Sequence, residues 1–409
     1  MKVLLVNCVY AFGSTGKIIK DIAGGLHESG VEVMIAYGRG SSIDEAWPVV
    51  KLTSEGIMKM QSFCSKLTGL SYGCSPLSTQ KLFKLIEQEK PDVVNLHCVN
   101  ANTINLAETI SFLKKKHVRT VLTIHAEFPY TGGCGHAYDC LQWQDGCRRC
   151  PQFHEHDSQL PVSWFLNRTA AEWRELKKAY QDFNELTVTC VSPWLADRAK
   201  QSPFFMGRKI LPVLNGLDEE VFQPRDAERL RQKHHLVGKK VLLHVTPNFY
   251  LSIKGGKYVL QIAQRLEGEH PNYAIIICGY RGDGHDLPKN VIPIAFTQNQ
   301  IELAEYYSLA NATLLTSKRE TFSMVTAESL CCGTPLIGFN AGGPESIALK
   351  EGSLFCDFGD VEQLYKNVVD VMSGLKELRF DAEKARKMYS KETMKEAYKQ
   401  VYEDLIDNC

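Results

Sequence analysis

The chain has 409 residues, 44% of them hydrophobic and 23% charged, and its 47 basic residues are balanced by 47 acidic ones. That length exceeds one small core and suits two domains of about 200 residues each. The balance argues against a nucleic-acid-binding surface, and no apolar run is long enough to span a bilayer. The halves differ slightly: residues 1–214 hold 24 Lys and Arg against 20 Asp and Glu, and the remainder holds 23 against 27. A basic first half next to an acidic second half points to an anionic partner for the first. Lys114-Lys115-Lys116-His117-Val118-Arg119 and the amphipathic stretch Ile57–Leu67 are either solvated helix faces or points of peripheral contact with a membrane surface.

Lys2–Tyr10 reads as a strand. It is too short, and lacks the cleavage pattern, for a signal peptide, so a cytoplasmic location is expected, at most peripheral to the inner face of the membrane. The 14 cysteines are then expected as reduced thiols. Gly13-Ser14-Thr15-Gly16 follows as a turn before a helix over Lys17–Ser29. Its two glycines allow close backbone approach to a phosphate, with a plain capped turn as the alternative. Val31–Tyr37, Val93–Cys98, Val121–His125 and Leu186–Val191 are further strands with helices between. His97 and His125 stand at the ends of two of them. Between Glu127 and His156 lies an insert with Cys134, Cys140, Cys147 and Cys150. Four sulfurs within 17 residues suit a closed, structural zinc site, although a single C-x-x-C leaves buried thiols equally open.

The pattern breaks around Pro212–Asp218 and restarts with strands at Lys240–Thr246, Tyr273–Gly279, Val291–Phe296, Ala312–Thr316 and Leu336–Phe339. Apolar strands alternating with helices predict parallel sheets covered on both faces, hence two tandem α/β domains. The expected divisions are 1–214, 215–385 and a charged helical end at 386–409, within a helical reading of Leu375–Ile406. Lys254-Gly255-Gly256 opens a helix after the first of the later strands, where a cation can neutralise a diphosphate. Glu320 then sits on a loop after Ala312–Leu315, and Glu328 stands about a turn and a half into the next helix. Two carboxylates for sugar and ribose hydroxyls, with helix-start amides at Phe322, Ser323, Met324 and Val325 for the phosphates, describe a nucleotide-sugar site.

The run from Ser317 to Pro335 resembles the E-x7-E signature of retaining glycosyltransferases of family four, including the Gly333-Thr334-Pro335 that follows it. The usual Glu-Gly-Phe-Gly is here Glu320-Thr321-Phe322-Ser323, and the arginine common five residues before the lysine is Phe249. The insert with Trp143, Gly146, Cys147, Cys150 and Pro151 resembles the capsule and exopolysaccharide (colanic-acid-type) branch. The resemblance implies the GT-B architecture: two Rossmann-like, doubly wound parallel-sheet domains around an interdomain cleft. It implies a nucleoside-diphosphate-sugar donor on the second domain, a lipid-linked glycan acceptor on the first, and a final helix crossing back. It assigns Glu320 to the donor-sugar hydroxyls, Lys254 to the phosphates, Glu328 to the ribose and His125 to a hydroxyl of sugar or acceptor. Gly13–Gly16 would close over the diphosphate, and no catalytic cofactor or metal is required.

Three other readings compete. An oxidoreductase would need G-x-G-x-x-G, which Gly13–Gly16 does not supply. A non-catalytic zinc-stabilised binding module leaves Lys254 and Glu320 without a role. A sugar-nucleotide epimerase of similar fold would bind the same donor without an acceptor.

Overall fold

The computed structural model describes residues 1–40, 45–70, 74–99, 102–155, 157–161, 163–282 and 284–407. Contacts divide the chain into one unit of Met1–Leu214 with Met394–Cys409 and a second of Asn215–Thr393.

The first unit is a seven-stranded, wholly parallel sheet. Its strands are Lys2–Val9 (β1), Glu32–Arg39 (β2), Val49–Lys51 (β3), Val93–Leu96 (β4), Thr120–Ile124 (β5), Leu186–Cys190 (β6) and Ile210–Pro212 (β7). Their order is β3-β2-β1-β4-β5-β6-β7, which reverses direction between β1 and β4. Strands β4, β5 and β6 are buried along their whole length, as expected of strands covered on both faces. Helix Gly13–Glu28 lays Ile18, Ile19, Ile22 and Leu26 on this sheet, and Met394, Tyr398, Val401, Tyr402 and Leu405 of the final helix join the same apolar cluster. Asn95 inside β4 is satisfied there: its Nδ2 donates to Tyr402 at 2.7 Å, and its Oδ1 accepts from Thr123 at 2.9 Å.

The second unit repeats the plan with Lys240–Val245 (β8), Tyr273–Cys278 (β9), Val291–Ile294 (β10), Ala312–Leu315 (β11), Leu336–Phe339 (β12) and Ser353–Cys356 (β13). Its order is β10-β9-β8-β11-β12-β13, again all parallel, reversing between β8 and β11. Val259, Ile262, Ala263 and Leu266 of helix Gly256–Glu269, with Leu364, Val368 and Met372 of helix Val361–Ser373, cover Leu242, Ile275, Ile277, Leu314 and Ile337.

Several expectations change. The first helix starts at Gly13 rather than Lys17, so Gly13–Gly16 is its first turn and not a loop ahead of it; the N-cap, Phe12, supplies no side-chain bond. β3, β7 and β13 are edge strands of three or four residues, too short for a period to be read. Residues 375–381 are not helical; the helical end is Ala382–Met388, capped by Asp381, and then Lys391–Asp407. Among the described residues no helix is long and apolar enough to cross a membrane.

Candidate functional site

The strongest constellation lies in the second unit, at the carboxyl ends of the strands where the sheet reverses. Lys254 ends a short turn after β8. Thr316, just past β11, donates its hydroxyl to the Lys254 carbonyl at 2.9 Å, and the Lys318 amide donates to the Ile253 carbonyl at 2.8 Å. Gly255 has φ +68, and a Cβ there would stand 2.1 Å from the Thr316 carbonyl oxygen, so the approach of the two loops requires glycine. Glu320 is fixed from the other side: its amide donates to Ala341, and the Gly343 amide donates to its carbonyl, both at 2.9 Å. These ties bring together side chains 66 residues apart, and Lys254 Nζ meets Glu320 Oε1 at 2.6 Å. Both are partly exposed, 23% and 18%, so the pair is open to a ligand.

Next to it the chain turns into helix Met324–Cys331. Phe322 is buried against Tyr389, with the rings 6.3 Å apart and nearly perpendicular. Ser323 holds φ 80 and ψ 91, and its hydroxyl accepts from the Thr326 amide at 3.2 Å. The amides of Met324 and Val325, in the first helical turn, share this end with the positive pole of the helix dipole. Glu328 follows on the same helix. Tyr307, wholly buried, donates its hydroxyl to Glu328 Oε2 at 2.8 Å. No pattern in the sequence pairs Tyr307 with Glu328; only the packing of helix Gln300–Leu309 on helix Met324–Cys331 does.

Phe249 is 4% exposed and belongs to the core, against His244, Tyr250 and Tyr280. His244, near the end of β8, donates its Nδ1–H to the Leu314 carbonyl at 3.0 Å, and burial lowers its pKa to about 4.

The first unit carries its own set at the ends of β1, β4 and β5. His97 Nδ1 and His125 Nε2 are 3.2 Å apart, so one ring donates to the other. His97 also stands edge-tilted to Tyr398 at 5.8 Å. Burial lowers the pKa of His125 to about 4 and that of His97 further below its usual value, where His125 adds repulsion. Both rings are neutral at pH 7, so His125 can hydrogen-bond a hydroxyl without a charge of its own. The turn Gly13–Gly16 lies beyond β1, where a Cβ on Gly16 would meet Val9 Cγ2 at 3.2 Å and the Ala11 nitrogen at 3.3 Å.

The cysteine insert is built around a buried charge. Among the described residues no group of three or more His, Cys, Asp or Glu side chains is placed to hold a metal ion. Cys134, Cys140, Cys147 and Cys150 are free thiols, and burial raises Cys134 and Cys150 and pushes Cys147 up to about 12. The insert hangs on Glu127, which is fully buried. Glu127 accepts from Arg198 Nε at 2.6 Å, Tyr130 at 2.9 Å and the Ala137 amide at 2.8 Å. Arg198 lies over the rings of Trp143 and Trp194, at 5.2 and 5.3 Å. Neither Glu127 nor Arg198 stood out in the sequence.

Two parallel α/β units, the second with a cation, two carboxylates and a helix start at its reversal point, define a doubly wound, two-unit α/β protein. The profile of Glycosyltransferase Family 4 matches residues 15–221 and that of Glycosyl transferases group 1 matches residues 226–389. The chain belongs to Glycosyltransferase Family 4 and is a glycosyltransferase. Among characterised relatives it is 26% identical to the N-acetyl-alpha-D-glucosaminyl L-malate synthase of Bacillus anthracis over 49% of this chain and 55% of that protein. It is 22% identical to the putative colanic acid biosynthesis glycosyl transferase WcaC of Escherichia coli over 77% of each. In fold it is similar to the sucrose-phosphate synthase of Thermosynechococcus elongatus, with TM-score 0.70, 13% identity and full coverage of both chains. It is also similar to Anabaena HepE in complex with UDP-glucose, with TM-score 0.63, 14% identity and coverage of 99% and 100%. These place the fold in the GT-B group.

Proposed function

We propose that the chain moves a sugar from a nucleoside diphosphate to a hydroxyl on a glycan acceptor in polysaccharide assembly, at the cytoplasmic face of the membrane. The observation that carries the reading is the Lys254–Glu320 pair beside the start of helix Met324–Cys331. As the bond between the anomeric carbon and the phosphate oxygen breaks, negative charge grows on the diphosphate, and Lys254 with the Met324 and Val325 amides stands ready to hold it. Glu320 accepts hydrogen bonds from the donor sugar, and Glu328, oriented by Tyr307, accepts them from the ribose. The acceptor oxygen attacks the same face that the leaving group departs from, and its proton passes to the diphosphate oxygen, so configuration is retained without a protein nucleophile. Neutral His125 orients a hydroxyl on the first unit. No divalent metal is needed for the leaving group. Support for a nucleotide-sugar donor comes from HepE, solved with UDP-glucose, and support for polysaccharide assembly from the colanic acid relative.

The test is a thermal-shift panel of nucleoside-diphosphate sugars on the parent and on Lys254→Ala and Glu320→Ala. One donor raises the melting temperature of the parent, equivalent to about 2.7 kcal/mol at a hundred times its dissociation constant, and both variants respond weakly or not at all. With that donor, Lys254→Ala lowers turnover by about 10²–10³-fold. Equal shifts in all three proteins would remove the donor-site assignment. A product whose sugar is altered but still nucleotide-linked would make the enzyme an epimerase.

A further inference from the structure

Helix Glu55–Thr68 is inside out. Its buried residues are Met58, Gln61 and Ser65, two of the three polar, while Met60, Phe63 and Leu67 face solvent, Phe63 at 53% exposure. A helix packed on its own domain normally does the reverse. The segment next to it continues the apolar surface. Trp164, Phe165 and Leu166 are consecutive and all exposed, Phe165 at 70%. The two pieces are joined: the Trp164 amide donates to the Lys66 carbonyl at 2.9 Å, and the Phe63 and Trp164 rings meet edge-on at 5.7 Å. The result is one apolar surface of six large side chains, three on the helix and three on the segment that a backbone hydrogen bond and a ring contact hold against it. Surfaces of this kind on soluble proteins mark docking sites.

The charges nearby choose the occupant. Lys59 and Lys66 alternate with the exposed apolar residues along the helix, Arg168 is exposed just beyond the loop, and the one acid of the helix, Glu55, sits at its far start. A second copy of the chain docked about a two-fold axis would set these cations against themselves. An anionic lipid surface attracts them, and Trp and Phe are the side chains that settle at the boundary between headgroups and acyl chains. We propose that helix Glu55–Thr68 and the 164–166 segment form a docking surface for an anionic bilayer, with the aromatic tips inserted and the three cations on the headgroups. The proposal goes beyond the transfer reaction and stands whatever sugar is moved.

The experiment is sedimentation of the full chain with vesicles of phosphatidylcholine alone and of an equal mixture with phosphatidylglycerol. The parent binds the mixed vesicles, less so as salt screens the cations. Trp164→Ser with Phe165→Ser reduces partitioning about tenfold or more, and Lys59→Glu with Lys66→Glu removes the preference for phosphatidylglycerol. All variants keep the parent's circular dichroism and its donor-induced thermal shift, since these residues lie at the surface of the first unit. The proposal fails if the parent ignores mixed vesicles or if the aromatic variant binds them like the parent. It also fails if the parent sediments as a dimer that the aromatic variant dissociates, which would make the surface a contact between copies. Loss of donor response with vesicle binding intact would count against the transferase reading alone.

Discussion

At the scale of single residues, Ser323 shows how the donor loop is built. It holds φ 80, a region that bulky residues avoid, and at the same time caps helix Met324–Cys331 through its hydroxyl. Related glycosyltransferases usually have glycine there, which adopts that backbone without strain. The two effects predict opposite outcomes for two small substitutions. Ser323→Gly relieves the backbone and loses a cap that glycine replaces at a cost of only a few tenths of a kcal/mol, so it stabilises the second unit by about 1 kcal/mol. Ser323→Ala keeps the strain and loses the cap, and destabilises by about 1 kcal/mol. Denaturant midpoints of the two variants check this; a matching sign for both would mean that strain and cap do not compete at Ser323.

Elements show the same economy. The strand ends of β4 and β5 carry the facing His97 and His125, and β8 carries His244; all three are held below their usual pKa by burial. In the unfolded chain such groups titrate near 6.5. Between pH 6.5 and about 4 the unfolded state therefore binds more protons, and stability is lost as the pH falls through that window while it is complete above it. The melting temperature is expected to be level near pH 7 and to drop below 6.5, and His97→Gln should soften the drop. A curve that rises on acidification would contradict the neutral pair. The insert is tied by a buried ion pair: Glu127→Ala leaves Arg198 partly buried without its carboxylate and should cost about 3–5 kcal/mol. Urea unfolding followed by Trp fluorescence would report it, because Trp143 and Trp194 both lie against Arg198.

For the whole molecule, the return of the chain end to the first unit is the dominant long-range feature. Met394, Tyr398, Val401, Tyr402 and Leu405 are part of the first unit's core, and Tyr402 satisfies Asn95 inside β4. Deleting 394–409 removes a wall of that core and should leave the first unit insoluble or loosely packed. Tyr402→Phe, the milder change, takes the acceptor from a buried amide and should cost about 1 to 3 kcal/mol. Soluble yield and near-ultraviolet circular dichroism distinguish a packed from a loosened core.

The alternation of apolar strands with helices, read along the chain, determined two parallel-sheet units, because a strand buried on both faces must be apolar throughout and is legible locally. Lys254, Glu320 and Glu328 were legible for a related reason: the first two lie between a strong strand signal and a helix start, and Glu328 stands in the helix that follows. What only tertiary structure decided is which groups meet. The contact of Lys254 with Glu320 crosses 66 residues, Tyr307 reaches Glu328 from another helix, and Glu127 gathers Arg198, Tyr130 and the Ala137 amide inside the insert. Short edge strands β3, β7 and β13 and the outward apolar face of helix Glu55–Thr68 belong to the same group. An amphipathic pattern states that a helix has an apolar side, but the neighbours that cover or expose that side come from distant parts of the chain.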